Sequence, residues 1–145
     1  MSDPLLDGYA APGAVQFIIA HLRPITLSVN AIGANKWSAQ TPLPFRWVER
    51  VTGPTTIEAD FATLRVHTFG KDVDEAYAEG RRTDARIMLL VRYATTDVLM
   101  DDGSIANCDS VELTEASHEE PYASKSVVTR VVNELRVVLQ RGPIQ

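Results

Sequence analysis

Residues 43–91 hold the stretch that decides the fold: LPFRWVERVTGPTTIEADFATLRVHTFGKDVDEAYAEGRRTDARIMLLV. Its first part alternates as a strand does. After a turn at Gly53 and Pro54, residues 57–69 predict a second strand. The apolar alternation there changes phase after Phe61, which indicates a β-bulge or a sharp bend. The two strands predict a twisted hairpin. One face of the first strand takes Phe45, Trp47 and Val51, and the other takes Arg46, Val48 and Arg50.

The segment after this hairpin gives the clearest helix. Asp72, with Glu75 three residues later, follows the logic of a capping box. Acidic residues come early and arginines late, which complements the helix dipole. Gly80 costs about 1 kcal/mol relative to Ala in a helix interior, so it predicts a close approach of this helix to a sheet. The apolar face is expected to hold Val73, Tyr77, Gly80, Ile87, Leu90 and Ala94.

A shorter helix is predicted before the hairpin. Pro12 suits a first helical turn, and Pro24 ends the helix near Arg23. A β-rich run from Ile25 to Asn30 follows, and then a loop from Gly33 to Pro44. Trp37, inside that loop, either folds back onto the core or anchors a partner. The helical spacing is carried by Val15, Ile18, Ile19 and Leu22.

The C-terminal part of the chain is predicted to form a long loop followed by a strand. Residues 96–123 are acidic and rich in turn formers, and predict a long acidic loop with at most a brief strand at 111–113. Residues 126–141 fit both a helical and an alternating pattern, but their density of valine favours a long strand. Residues 1–11 are predicted to be a flexible start.

Together these segments predict one domain over residues 1–145, with an α+β fold in the broad α/β class. We expect a small mixed or antiparallel twisted sheet of about four strands packed against two helices. The net charge of −5, from 14 basic and 19 acidic residues, argues against nucleic acid or a membrane as the main partner. A single cysteine, Cys108, and an N-terminus without a signal-peptide pattern lead us to expect a protein made in the cytoplasm.

Sequence patterns that carry catalysis or metal binding are not found. Cys108 lacks the surroundings of a catalytic nucleophile, and the run Asp101–Gly103 favours a turn over a calcium site. No phosphate-binding glycine motif and no nucleophile elbow occurs. We therefore expect no catalytic residue, no cofactor and no metal. The histidines lack the spacing of metal ligands and are interpreted as solvent-facing or partly packed imidazoles: His21, His67 and His118.

The order of these motifs resembles that of the tail terminator proteins of long-tailed bacteriophages, also described as tail completion or minor tail proteins. The family pattern P-F-x-x-V-x-R-x-x-G is matched by residues 44–53, and a strand of the V-x-V-x-x-F/W kind and a helix that begins with Asp, Glu and Ala follow it. The loop at 96–123 is longer and more acidic than that of the family. The matching residues are Pro44, Phe45, Val48, Arg50, Gly53, Val66, Phe69, Asp74, Glu75 and Ala76.

The resemblance implies a structural virion protein and not an enzyme. Subunits of that family form a sixfold ring on the last ring of the tail tube, stop its polymerisation and provide the surface to which the head joins. The implied partners are further copies of the chain, the tail tube protein and a head-completion or connector protein. DNA would pass through the lumen only as cargo, no membrane is involved, and the implied location is the neck end of the virion tail.

A closed ring needs two different contact patches on each subunit. We expect them at sheet edges and loops, and the acidic loop is further expected to keep DNA from adhering. Two alternatives stay open: another head–tail connector or head-completion protein of the neck, and a small α+β ligand-binding domain or enzyme. The residues expected to contact neighbouring subunits or the tail tube are Trp37, Arg46, Arg50, Asp101, Asp102, Glu119 and Glu120.

Overall fold

Two helices and seven strands make up the computed structural model, which describes residues 13–35, 41–54, 56, 59–121 and 128–140. Helix α1 spans Ala14–Leu22 and helix α2 spans Val73–Arg92. The strands are β1 (Ile32–Gly33), β2 (Phe45–Thr52), β3 (Ala59–Gly70), β4 (Val98–Leu99), β5 (Ile105–Ala106), β6 (Ser110–Glu119) and β7 (Thr129–Gln140).

Five of these strands form one mixed sheet in the order β1-β2-β3-β7-β6. Strand β1 is parallel to β2, and the other neighbours are antiparallel. Strands β3 and β7 pair without interruption from Ala59↔Gln140 to Gly70↔Thr129. Strands β4 and β5 form a separate two-stranded hairpin. The predicted α+β class, with two helices on a mixed sheet, is confirmed, although the strands outnumber the four expected.

The main hydrophobic core lies between the two helices and one face of the sheet. Every second residue of β3 and β7 points into it, as the period of a strand requires. The β4–β5 hairpin closes one end of this core with Val98 and Met100. Other fully or nearly fully buried members are Phe17, Ile18, Leu22, Val48, Leu64, Val66, Ile87, Leu90, Leu135, Val137 and Leu139.

Helix α2 lies close to the sheet at Gly80, as predicted. A Cβ atom there would come within 2.6 Å of Val131 Cγ2 and 3.0 Å of Ser117 Oγ. One turn later, Asp84 accepts hydrogen bonds from Asn133 Nδ2 at 2.7 Å, and from Ser117 Oγ and N at 2.9 and 3.0 Å. The small residue permits the close approach, and the carboxylate then holds the helix to β6 and β7.

The start of α2 has the predicted cap at Asp72, but the Glu75 side chain bonds the N–H of Lys71 and not that of Asp72 as a capping box would. Asp72 Oδ1 accepts a hydrogen bond from Glu75 N at 2.8 Å, while Glu75 Oε1 accepts one from Lys71 N at 2.9 Å. The predicted apolar face was wrong at Val73, which is exposed. Thr83 is buried on that face instead, because its hydroxyl is hydrogen-bonded within the contact to the sheet.

The long acidic loop predicted at 96–123 was wrong. This segment contains β4, β5 and the ten-residue β6. Strand β6 is at the edge of the sheet, so its acidic residues occupy outward positions, and Val111 is its one fully buried apolar side chain. The acidic and turn-forming residues led to the prediction of a loop, although an edge strand also needs little apolar surface.

Three other segments test the remaining predictions. The β-rich run expected at Ile25–Asn30 was wrong: two 3₁₀ turns, Arg23–Ile25 and Val29–Ala31, occupy it, and Thr26 N and Oγ1 both donate to Arg23 O. The bulge or bend expected inside the second strand was wrong: β3 pairs with β7 without a register shift, and the shift lies in β2 instead, between Arg50 and Thr52. The long C-terminal strand is confirmed as β7. The predicted flexible start at 1–11 lies outside the described residues.

Candidate interaction surfaces

The sheet face that carries no helix is called here the open face. Phe45, Phe69 and Val128 form a small buried cluster on it. Beside that cluster the Trp47 indole stacks on the His67 imidazole, with ring centroids 4.1 Å apart and an interplanar angle of 18°. The open face therefore has a packed aromatic centre.

His67 is held in one tautomer by its two neighbours. Its Nε2 lies 2.9 Å from Glu49 Oε1, and its Nδ1 lies 3.3 Å from Arg130 Nη1. Because a guanidinium only donates, Nδ1 must accept, and the proton is on Nε2 facing the carboxylate. Burial lowers the pKa of His67 more than Glu49 raises it, so the ring is neutral at pH 7. The prediction of a solvent-facing or partly packed ring was wrong here, since His67 is 3% exposed.

A chain of polar contacts runs from His67 through Arg130 and Glu120 to His118 at the edge of the sheet. Arg130 Nη2 lies 3.9 Å from Glu120 Oε1, whose other oxygen lies 2.9 Å from His118 Nε2. Glu115 Oε1 lies 3.4 Å from the same nitrogen. The hydrogen bond with the Ala116 carbonyl and the two carboxylates raise the pKa of the half-buried His118. Each of these charged side chains thus has an oppositely charged neighbour within the chain, and this half of the open face is polar.

The other end of the open face is apolar. Phe61, 42% exposed, lies beside Pro54 and Val138 in a groove of about 320 Å³, which we call the Phe61 groove. Arg136 lines the groove and is exposed, and its guanidinium forms no ion pair or hydrogen bond with any other described residue. Glu112 is its neighbour in register on β6. The groove is thus apolar with a positive charge at its rim.

On the helix-bearing side, the β4–β5 hairpin presents a second surface. Leu99 and Ile105 pair across the hairpin and are 66% and 59% exposed. The tip is fixed by Asp102, which accepts hydrogen bonds from Ser104, and by Gly103 with φ of 89°. The hairpin therefore exposes two large apolar side chains beside an acidic tip.

Asp101 ties this hairpin to the end of α1. Its carboxylate accepts two hydrogen bonds from Arg23, at 2.8 and 3.1 Å, while Arg23 Nη1 donates to Val29 O at 2.9 Å. The hydrogen bond with Arg23 holds the pKa of Asp101 below its usual value. An exposed pair contributes little stability by itself, but a bidentate pair fixes orientation. The hairpin is thereby held at a defined angle.

Two of the predicted contact residues need separate comment: Arg46 is buried, and Trp37 is not among the described residues. Trp37 lies outside the described residues. Arg46 is 0% exposed, so its prediction as a contact residue was wrong. It lies under α2, where Nε donates to Thr83 Oγ1 at 2.8 Å and Nη2 to Glu79 O at 2.9 Å. Burial lowers the pKa of this guanidinium, and Glu79 partly offsets that effect.

The other predicted contact residues lie at separate places. Arg50 makes a two-point ion pair with Asp60, at 2.8 and 2.9 Å, beside the β2–β3 turn. Asp101 and Asp102 lie together in the hairpin. Residues 119–120 lie at the far end of β6, and the ten residues of that strand span roughly 30 Å. The four acidic residues thus do not form one acidic loop.

Sequence reasoning missed both the hairpin and the Phe61 groove. The hairpin could have been predicted, because Asp102-Gly103 between apolar residues is a common turn sequence of β-hairpins. The groove had none, since Phe61 and Arg136 are 75 positions apart and meet only through the pairing of β3 with β7.

Cys108 belongs to the main hydrophobic core. The thiol is buried and donates to Ala94 O at 3.3 Å, and burial raises its pKa to about 11. Such a thiol is a poor nucleophile at neutral pH. Within the described ranges no group of three or more metal-binding side chains converges. None of the described helices is long and apolar enough to cross a membrane.

Comparison with models of known protein families and with curated proteins gives no match for the chain.

Proposed function

We propose that the chain is a structural virion protein: a ring-forming tail terminator that caps the tail tube of a long-tailed bacteriophage. In this role it stops polymerisation of the tube and provides the surface to which the head joins. Its partners are other copies of itself in a hexameric ring, the tail tube protein and a head-completion or connector protein. The resemblance over residues 44–76 supports this proposal from the sequence side.

The observation that carries the proposal is a pair of unlike exposed surfaces on opposite sides of the sheet. The hairpin surface, Leu99 and Ile105 with the acidic tip, lies on the side of α1 and α2 because β4 packs into the main core. The Phe61 groove opens on the side without helices. Subunits that associate head to tail use two different patches, as a ring requires.

The long edge strand favours contacts between side chains over pairing of sheet edges. Strand β6 carries exposed carboxylates at Glu112, Glu115 and Glu119. Charged residues on an edge strand oppose uncontrolled addition of another strand. Growth into an open fibre by edge pairing is therefore disfavoured, which suits a ring of fixed size.

The proposal is tested by adding the purified chain to polymerising tail tube protein of the same phage. We expect shorter tubes in electron micrographs, with gold-labelled chain at one end of each tube. An unrelated acidic protein of similar mass is the control and should leave tube length unchanged. Tubes of unchanged length without end-bound label would refute the terminator role. Binding to the portal or connector instead would assign the chain to another neck position.

A further inference from the structure

We propose that the β4–β5 hairpin of one copy docks into the Phe61 groove of the next copy. This inference rests on the proposed function and names the two surfaces by which the ring would close. The occupant of the groove is thus a second copy of this chain, and the contacting elements are Leu99 and Ile105 on one side and Phe61 on the other.

The apolar parts of the two surfaces are matched in kind and size. Leu99 and Ile105 stand side by side on a two-stranded ribbon and are mostly exposed in the single chain. The groove offers Phe61, Pro54 and Val138 in a depression of about 320 Å³, enough for the ends of two aliphatic side chains. Docking would remove exposed apolar surface from water on both copies, which is the main favourable term in association.

The charges are complementary as well. Asp102 at the hairpin tip is fully exposed, and its pKa is lowered by hydrogen bonds from Ser104, so it is ionised at pH 7. Arg136 at the rim of the groove is exposed and has no ion-pair partner among the described residues. A carboxylate and a guanidinium that approach across an interface set its orientation and exclude wrong pairings.

The same charges disfavour the symmetric alternative. Two hairpins placed face to face would bring Asp101 and Asp102 of both copies together, and two grooves would bring together two Arg136 side chains. Like charges at an interface are unfavourable. The head-to-tail arrangement is the one in which each surface meets its complement.

The hairpin is also preorganised for docking. Its base is anchored by Val98 and Met100 in the core, and its tip is held by the Arg23–Asp101 ion pair. A segment that is ordered before binding loses less conformational entropy on association. The hairpin can therefore act as a rigid projection.

The test uses cysteine variants of the full chain, Leu99→Cys and Phe61→Cys, purified separately and distinguished by an affinity tag. They are mixed, oxidised and separated on a non-reducing gel. We expect mixed disulfide dimers several-fold more abundant than either homodimer. Ala78→Cys, at an exposed position of α2, replaces Leu99→Cys in the control and should give no mixed product with Phe61→Cys. Cys108 stays silent because it is buried.

The outcomes separate this inference from the proposed function. Homodimers of Leu99→Cys in excess over mixed dimers would overturn the head-to-tail contact. A ring seen by light scattering or at the ends of labelled tubes, in which no mixed disulfide forms, would also overturn the head-to-tail contact. The proposed function would stand in that case. Phe61→Glu gives a second readout: a loss of association with an unchanged urea midpoint supports the contact, and unaltered association refutes it.

Discussion

Replacement of Arg46 separates the packing of its side chain from the effect of its charge. This arginine is completely buried, and the described residues offer no partner for its Nη1 atom. Each group that it contacts has a second partner. Glu79 binds Arg82 with both carboxylate oxygens at 3.0 Å, and Thr83 Oγ1 donates to Glu79 O at 3.0 Å. Loss of the guanidinium therefore leaves none of these contacts unsatisfied.

The two substitutions Arg46→Met and Arg46→Ala should consequently differ. Methionine keeps the apolar stem and relieves the unpaired buried donor, so the free energy of unfolding should stay within about 1 kcal/mol of the wild type. Alanine removes the stem and leaves a cavity beneath α2, which should lower the free energy of unfolding by about 3 kcal/mol. Arg81→Ala, at an exposed position of α2, is the control and should change the free energy of unfolding by less than about 0.5 kcal/mol.

Urea denaturation followed by circular dichroism measures these differences. The slope of the unfolding free energy against urea should be unchanged, so that shifts of the midpoint report stability alone. If Arg46→Met lost as much stability as Arg46→Ala, the charge and its hydrogen bonds would be the stabilising element. That result would refute a mainly packing role for the Arg46 side chain.

Three further changes test the contact of α2 with the sheet and the buried histidine. Gly80→Ala should lower the free energy of unfolding by about 1 kcal/mol, because crowding against Val131 outweighs the gain in helix propensity. Asp84→Asn should lower it by about 1–3 kcal/mol, since one of three hydrogen bonds is lost; urea midpoints measure both. The pKa of His67 is lowered from 6.5, so the unfolded chain binds the proton more readily and stability is lost as pH falls below 6.5. His67→Gln should therefore lose less stability than the wild type between pH 7 and about pH 5.5 in urea titrations.

Each of these expectations has a contradicting result. A more stable Gly80→Ala would show that the helix does not lie as close to β7 as described. The control for Asp84→Asn is Asp74→Asn, in the first turn of α2, which should lower the free energy of unfolding by less than about 1 kcal/mol. If Asp84→Asn lowered the free energy of unfolding no more than Asp74→Asn does, the hydrogen bonds of Asp84 would contribute little. Equal acid sensitivity of the wild type and His67→Gln would assign the loss to other groups, such as His21, whose pKa is also lowered by burial.

The parts of the fold that the sequence predicted are those fixed by local patterns. The helix cap at Asp72, the interior Gly80 and the density of valine in residues 126–141 each determine nearby backbone geometry, and the structure agrees with all three. Strand β6 escaped prediction because an edge strand is stabilised by backbone pairing with β7 and needs few apolar residues. Its composition alone resembles a loop.

The candidate surfaces were less predictable because they depend on distant pairings. Arg46 alternates with Trp47 on β2, and the pattern alone does not tell which face α2 covers. A charged residue usually indicates the solvent side, yet here Thr83 and Glu79 accept its hydrogen bonds inside the contact. His67 likewise is buried in contacts from neighbouring strands, where Trp47 stacks on its ring and Arg130 lies against Nδ1.

The solution mass of the purified chain, measured by multi-angle light scattering over a range of concentrations, tests the ring proposal most directly. We expect a closed species at six times the 16.0 kDa of one chain, whose mass does not increase further with concentration. A monomer that remains monomeric even at the ends of tail tubes would contradict the ring, and so would association that grows without limit.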